Sequence, residues 1–132
     1  MPQNPPLDVA TKLQTAGEGT LGSSIWVGPI RPASSSVPVA SVFVTGTGGP
    51  RPQRTLGRIT EIRRPTVQVM VRAADHEAGL TKAKAVHAAL HNATISGYGD
   101  VEALQPEPIY VGLDSQEHEL FSINFMLFYQ PS

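Results

Sequence analysis

The spacing of apolar residues changes abruptly within residues 66–91, and this change is the strongest constraint on the fold. Three valines alternate with polar or flexible side chains, as in a strand with one buried face: Val67, Val69 and Val71. Further along, apolar side chains recur every three or four positions, as on one helix face: Leu80, Ala83, Val86 or His87, and Leu90. Asp75 stands where an N-cap is needed. We therefore predict a buried strand that leads directly into a helix packed across the same sheet.

The rest of the chain predicts one more helix and five more extended segments. Asn4 can cap a helix over residues 4–16, whose apolar stripe comprises Leu7, Ala10 and Leu13, with Val9 beside it. The extended segments are residues 24–27, 39–45, 100–105, 109–113 and 120–129. A polar turn separates the last two, so we expect them to form a hairpin. Pro106 and Pro108 predict a bend or an edge strand.

This pattern predicts an α+β sandwich, in which two helices pack on one face of a mixed, mostly antiparallel sheet. The 132 residues suit a single domain spanning residues 1–132. A formal net charge of −1 gives no bulk electrostatic reason to expect binding to nucleic acid or membranes. There is no cysteine, no signal-like N-terminus and no apolar run near the ~20 residues of a membrane span. We expect a soluble protein without thiolate chemistry.

Residues 46–64 predict a long mobile loop, with a brief extended piece at Ile59 and Ile62. Half of the ten basic residues lie here: Arg51, Arg54, Arg58, Arg63 and Arg64. These arginines are either solvated charges or a surface that orders against a partner subunit, where Arg pairs bidentately with carboxylates. Contact with nucleic acid ranks third, because the loop lacks aromatic residues that could stack on bases. We take the five arginines as the candidate interface.

Three other motifs are better explained by structure than by chemistry. The glycines of residues 46–49 resemble a phosphate loop, but Pro50 and Pro52 follow where a helix would have to begin. His87 and His91 share a helix face, yet a zinc site needs further ligands that nothing places nearby. Asp75, His76 and Glu77 point in different directions at a helix start and cannot converge on one atom. The sequence therefore predicts no enzyme, no metal and no cofactor.

The order of several short motifs resembles the tail terminator, or minor capsid protein, family of long-tailed bacteriophages. The motifs are WVG at 26–28, a TGTGG turn from Thr45, RPTVQVMVRA at 64–73, ALH at 89–91, VEALQPEP at 101–108, the G-x-D turn at 112–114 and FSINF at 121–125. The resemblance covers residues 7–129. The Arg-rich stretch at 53–62 departs from the pattern.

The resemblance implies a structural role in the virion. Tail terminators cap the tail tube as rings, commonly hexameric, and offer a surface to the head connector. It implies a homo-oligomer, a tail tube protein and a head-closure or connector protein as partners, and assembly in the host cytoplasm. DNA would pass through the lumen without sequence-specific binding. No catalytic residue is carried over.

Two other classes stay open. The chain could be another protein of the head–tail joint or a tail tube subunit, although the strand-to-helix passage at 66–91 favours the terminator. It could also be a small-ligand-binding or enzymatic α/β domain, which predicts a pocket with convergent polar groups. The sequence offers no such set of residues.

Overall fold

The computed structural model describes residues 4–50, 53–54 and 61–129, with the backbone alone at 53, 54 and 61. Two helices and eight strands follow each other along this part of the chain: α1 (Pro5–Thr15), β1 (Ile25–Val27), β2 (Ser41–Gly46), β3 (Gln53–Arg54), β4 (Glu61–Ile62), β5 (Thr66–Ala73), α2 (His76–Leu90), β6 (Asp100–Ala103), β7 (Ile109–Leu113) and β8 (Glu119–Phe128). The predicted elements all occur.

The main sheet has six strands in the order β1-β2-β5-β8, with β6 and β7 both paired to the far side of β8. Only β1 and β2 are parallel, and every other pair is antiparallel. β3 and β4 form a separate two-stranded antiparallel sheet. The fold is α+β with a mixed, mostly antiparallel sheet, as the sequence predicts.

β5 and β8 form the centre of the core. Val67, Val69 and Val71 are fully buried, and they lie opposite Phe125, Ile123 and Phe121 of β8. Buried residues of both helices join these side chains in one cluster, so the two helices cover the same face of the sheet. This arrangement confirms the predicted strand and its buried face.

α2 begins and packs as predicted, with one shift in its buried stripe. The Asp75 carboxylate accepts a hydrogen bond from the Ala78 amide at 2.8 Å and caps the helix. The buried positions are Gly79, Ala83, Val86 and Leu90. The stripe thus begins at Gly79, and Leu80 is half-buried. A Cβ at position 79 would lie 2.6 Å from the Phe121 ring. Glycine here allows the helix to approach the sheet.

α1 is rotated relative to the sequence prediction. The Asn4 side chain caps it by accepting from the Leu7 amide at 3.4 Å. Val9, Ala10 and Leu13 are buried, whereas Leu7 is 39% exposed, so the prediction that Leu7 faces the core is wrong. The side of α1 that bears Asp8 is fixed by Tyr98, whose hydroxyl donates to the Asp8 carboxylate at 2.6 Å. Burial, and then this hydrogen bond, raise the pKa of Tyr98.

The last two strands form the predicted hairpin, which closes over a tight turn. Asp114 Oδ1 accepts from the amides of Gln116 and His118, both at 2.8 Å. β7 pairs with the first half of β8 and β6 with the second half. The chain between β6 and β7 contains Pro106 and Pro108, so the prolines mark a bend along one edge of the sheet.

Candidate functional site

The structure places the described part of the arginine segment (residues 51–64) at one end of the sheet. Arg63 connects β4 to the chain entering β5, and its amide and carbonyl exchange hydrogen bonds with Tyr129 at 2.9 and 3.0 Å. Arg54 lies in β3, opposite Glu61 of β4. Arg51, Arg58 and Ile59 lie outside the described residues. The segment therefore contains a short antiparallel ladder, where the sequence predicts mainly a loop.

The Gly46–Gly49 turn packs against the base of this segment. Pro50, the described residue directly after the turn, is not helical. Gly49 has a φ of +103°, and a Cβ there would lie 2.3 Å from the Arg64 carbonyl oxygen. The Thr47 amide also donates to the Thr66 carbonyl at 2.9 Å. The two ends of the arginine segment are thus packed backbone against backbone.

Arg64 carries an unsatisfied polar atom at this position. Its Nε is buried and has no hydrogen-bond partner among the described residues. Buried polar groups in folded proteins are nearly always paired, because leaving one unpaired costs roughly 1–3 kcal/mol.

A groove of about 570 Å³ lies on the sheet face opposite the helices. Its lining is apolar or neutral and includes Phe43, Met70, Ile109, Val111, Gln68 and Asn124. Gln68 donates to the Ser122 hydroxyl at 3.0 Å, and Asn124 donates to the side chain of Gln105. Gln68 and Ser122 therefore partner each other within the groove, and no charged residue lines it.

The groove opens onto a row of exposed apolar side chains, which we call the β7 edge: Leu104, Ile109, Tyr110, Val111 and Leu113. Each is between 42% and 55% exposed, and they are five of the nine large apolar side chains that the described residues leave exposed. β7 pairs with β8 on one side, and no described strand pairs with its other side. A contiguous exposed apolar strand at a sheet edge is typical of a protein interaction site.

Charge is distributed unevenly between the β7 edge and the arginine segment. Residues 85–132 contain six acidic residues and no Lys or Arg, whereas residues 46–64 contain five arginines and a single acidic residue. Glu102 and Glu107, beside the β7 edge, are exposed. Among the described residues neither carboxylate has an ion-pair or hydrogen-bond partner. The two stretches of the chain thus carry opposite charge.

Arg72 is a structural residue that the sequence analysis missed. It is 1% exposed on the face opposite the helices, where its Nε and Nη2 donate to the carbonyls of Val39 and Pro38, both at 2.9 Å. Its Nη1 donates to the carbonyl of Arg31. Burial lowers the pKa of Arg72, and the Asp114 carboxylate opposes this effect. The guanidinium fastens residues 31–39 over the sheet, and a charged residue within a mostly buried strand is the signal that could have indicated it.

The histidines hold the end of α2 against β6. His87 Nε2 lies 2.9 Å from the carbonyl oxygen of Gln105, and the Ala103 amide donates to His91 Nδ1 at 3.2 Å. His76, at the other end of the helix, packs against the ring of Tyr110 at 5.2 Å. Within the described residues, no three potential ligands come together to hold a metal ion. These histidines therefore have structural contacts.

Comparison with known proteins decides the family. The family model described as "Bacteriophage tail terminator protein" matches residues 12–130. The chain belongs to the bacteriophage tail terminator family. It is accordingly a structural protein of the virion tail, and its partners are other tail or head proteins. The resemblance stated from the sequence motifs is confirmed.

A solved structure supports the fold of this tail terminator family member. A chain of the structure titled "Virion of native gene transfer agent (GTA) particle" superposes with a TM-score of 0.60 at 14% sequence identity. The match covers 93% of this chain and 92% of that chain. No curated protein matches the sequence. Neither described helix has the length and apolar character that crossing a membrane requires.

Proposed function

We propose that this tail terminator family member assembles into a ring that caps the tail tube and joins it to the head connector. The β7 edge is the observation that carries the proposal, because it leaves apolar side chains and an unpaired strand exposed on the isolated subunit. Burial of apolar area is the main driving force of protein association. We expect six subunits in the ring.

A closed ring needs two different surfaces on each subunit, because a heterologous contact joins one surface to another. The arginine segment is the proposed second surface, with Arg51, Arg54, Arg58, Arg63 and Arg64 as its contact residues. Ile62 in the same segment is 37% exposed, which supports this assignment.

The proposed action is binding rather than catalysis. The side chains that line the groove are all neutral, so it offers no charged acid or base. DNA passes through the lumen of the proposed ring without sequence-specific contacts, which suits a formal net charge of −1.

The alternative function is another protein of the head–tail joint, or a tail tube subunit. The exposed β7 edge suits subunit contacts in each of these roles. Electron microscopy of purified protein mixed with tail tubes distinguishes them: one ring at the tube end indicates a terminator, and stacked rings indicate a tube subunit. A protein bound only to the head side indicates a head-closure role.

The experiment measures mass by light scattering over a concentration series, with and without purified tail tubes. We expect a ring-sized species, or a monomer that forms rings on tubes. Rings absent under both conditions would contradict the proposal. The variant Arg51→Ala/Arg54→Ala/Arg58→Ala should reduce tail joining at least tenfold while keeping the wild-type unfolding midpoint. Lys12→Ala/Lys84→Ala removes basic residues from the helices instead, and should leave tail joining unchanged.

A further inference from the structure

The two outer edges of the main sheet lie on opposite sides of the subunit. The strand order places β1 at one end of the sheet and the β7 edge at the other. The groove spans the sheet between them, since Ile30 lines it just after β1, and Ile109 and Val111 line it at β7. Each subunit of a ring needs two different surfaces for its two neighbours, and the opposite edges of one sheet meet this requirement.

The edge beside β1 is apolar and basic. Val27 is 40% exposed and Ile30 is 36% exposed, and the exposed Arg31 follows them. We call these three residues the β1 edge. The chain before β1 covers the start of the strand, because the Gly22 amide donates to the Ile25 carbonyl at 2.8 Å. The exposed part of this edge therefore begins at Val27.

The Arg31 side chain is held in position within the subunit but has no ion pair with a described residue. Its guanidinium carbon lies 4.6 Å from the centre of the Trp26 ring, and its backbone carbonyl accepts a hydrogen bond from the buried Arg72. A guanidinium over an aromatic ring still has N–H donors at its edges, which suit bidentate pairing with a carboxylate. Because the side chain is already ordered, such pairing loses less conformational entropy.

The β7 edge offers carboxylates of the required kind. Glu102 and Glu107 are exposed beside it, and neither has an ion-pair or hydrogen-bond partner among the described residues. Val101 is buried in the core cluster with the helices, so the next residue, Glu102, lies on the groove face of β6. The β7 edge is therefore apolar and acidic on the same face of the sheet that Ile30 borders.

We propose that the β1 edge of one subunit docks on the β7 edge of the next subunit. Ile30 packs on Val111 and its apolar neighbours, and Arg31 pairs with the carboxylates of Glu102 and Glu107. This inference rests on the proposed ring, and it adds the β1 edge to the surfaces that form the contact between its subunits.

Charge opposes a symmetric contact at either edge. Two β7 edges would bring Glu102 and Glu107 of both copies together, and two β1 edges would bring the two copies of Arg31 together. The heterologous contact joins opposite charges instead. It propagates in one direction and closes only when the ring is complete, so the cross-linking pattern of the subunits reports it directly.

Cysteine cross-linking tests this contact, since the natural chain has no cysteine. Ile30→Cys and Val111→Cys proteins are assembled on tail tubes separately, and as an equal mixture, and are then treated with a short bismaleimide. We expect cross-linked dimers only in the mixture. The double variant Ile30→Cys/Val111→Cys should give a ladder of cross-linked species that ends at the number of subunits in the ring.

Thr81 is exposed on α2, so Thr81→Cys is the matched control and should give no cross-link with Ile30→Cys. Dimers from Val111→Cys alone would overturn the proposal in favour of a symmetric contact. Assembled rings without the mixed cross-link would also overturn it, while leaving the ring function intact. Absence of rings even on tail tubes would contradict the ring function and this contact together.

Charge reversal provides a second measurement. Arg31→Glu in the Ile30→Cys protein should reduce the mixed cross-link roughly tenfold or more, because it places like charges in contact. Glu102→Arg/Glu107→Arg in the other protein should then restore it. Lys84→Glu, the same change at an exposed position of α2, is the control and should leave the cross-link unchanged. Failure of the second pair to restore the cross-link would show that these charges do not meet.

Discussion

Arg72 and Asp114 meet on the sheet face opposite the helices, with Arg72 Nη1 3.9 Å from Asp114 Oδ2. Arg72 is buried in β5, and Asp114 lies in the turn between β7 and β8. The same guanidinium also holds the carbonyls of three residues in the connection between β1 and β2. One side chain therefore joins three separate parts of the chain beside the groove.

Arg72→Met should destabilise the fold by about 3–5 kcal/mol, because it leaves three carbonyls and a carboxylate without their buried donor. Urea unfolding at pH 7 measures the change. Arg31→Met is the control, since Arg31 is exposed and stacks on Trp26 at 4.6 Å. It should cost about 1 kcal/mol or less. Equal losses in the two variants would show that the contacts of Arg72 contribute little.

Asp114 should make stability depend on acidity. Burial on its own would raise the pKa of Asp114, but the amides of His118 and Gln116, with the His118 ring, hold it below its usual value. A lowered pKa means that the folded state favours the carboxylate. Its contribution is present above about pH 4 and is lost as pH falls through the lowered pKa.

At pH 7, Asp114→Asn should therefore be less stable than the wild type. As pH falls from about 5 to about 2, the variant should lose less stability than the wild type loses. Urea unfolding across this range measures both effects. The Asn side chain can still accept the two backbone hydrogen bonds, so the turn is expected to persist. A drop in stability identical to that of the wild type would exclude Asp114 as a source of the acid sensitivity.

Gly49→Ala should destabilise the base of the arginine segment and reduce tail joining. Its Cβ would meet the Arg64 carbonyl, which is backbone and cannot move freely. Gly48→Ala is a matched control, because Gly48 also has a positive φ, +88°, but has open space around it. In both variants the alanine would adopt the left-handed backbone conformation, which destabilises the fold by about 1–2 kcal/mol. Thermal unfolding and tail-joining yield should both be lower for Gly49→Ala, and equal values would contradict the close contact.

The sequence predicted local elements well where local chemistry decides them. The valines of β5 alternate strictly, Asp75 and Asn4 are N-caps by residue type, and the polar turn before β8 marks a hairpin. Each of these signals lies within a few residues of the structure that it specifies. The prediction for α1 was wrong at Leu7, because Leu7, Val9, Ala10 and Leu13 together span more of the helix surface than the sheet covers, and only the packing decides which of them is left exposed.

Only one of the two proposed surfaces could be predicted from the sequence. The cluster of arginines was visible in the sequence, whereas the β7 edge looked like an ordinary strand. Its exposure became apparent only when β6 and β7 were seen to share one side of β8. No local pattern shows that Val111 is exposed while Val101 is buried.

The sequence by itself determined the strands of the main sheet, the helices, their caps and the family to which the chain belongs, because each depends on neighbouring residues or on the order of motifs. The tertiary structure alone decided which face of α1 is buried, that Arg72 fastens residues 31–39 to the sheet, and that the β7 edge stays uncovered. These features depend on contacts between residues far apart in the chain, such as Arg72 with Asp114. Such contacts are fixed by the packing of the whole domain and leave no periodic trace in the sequence.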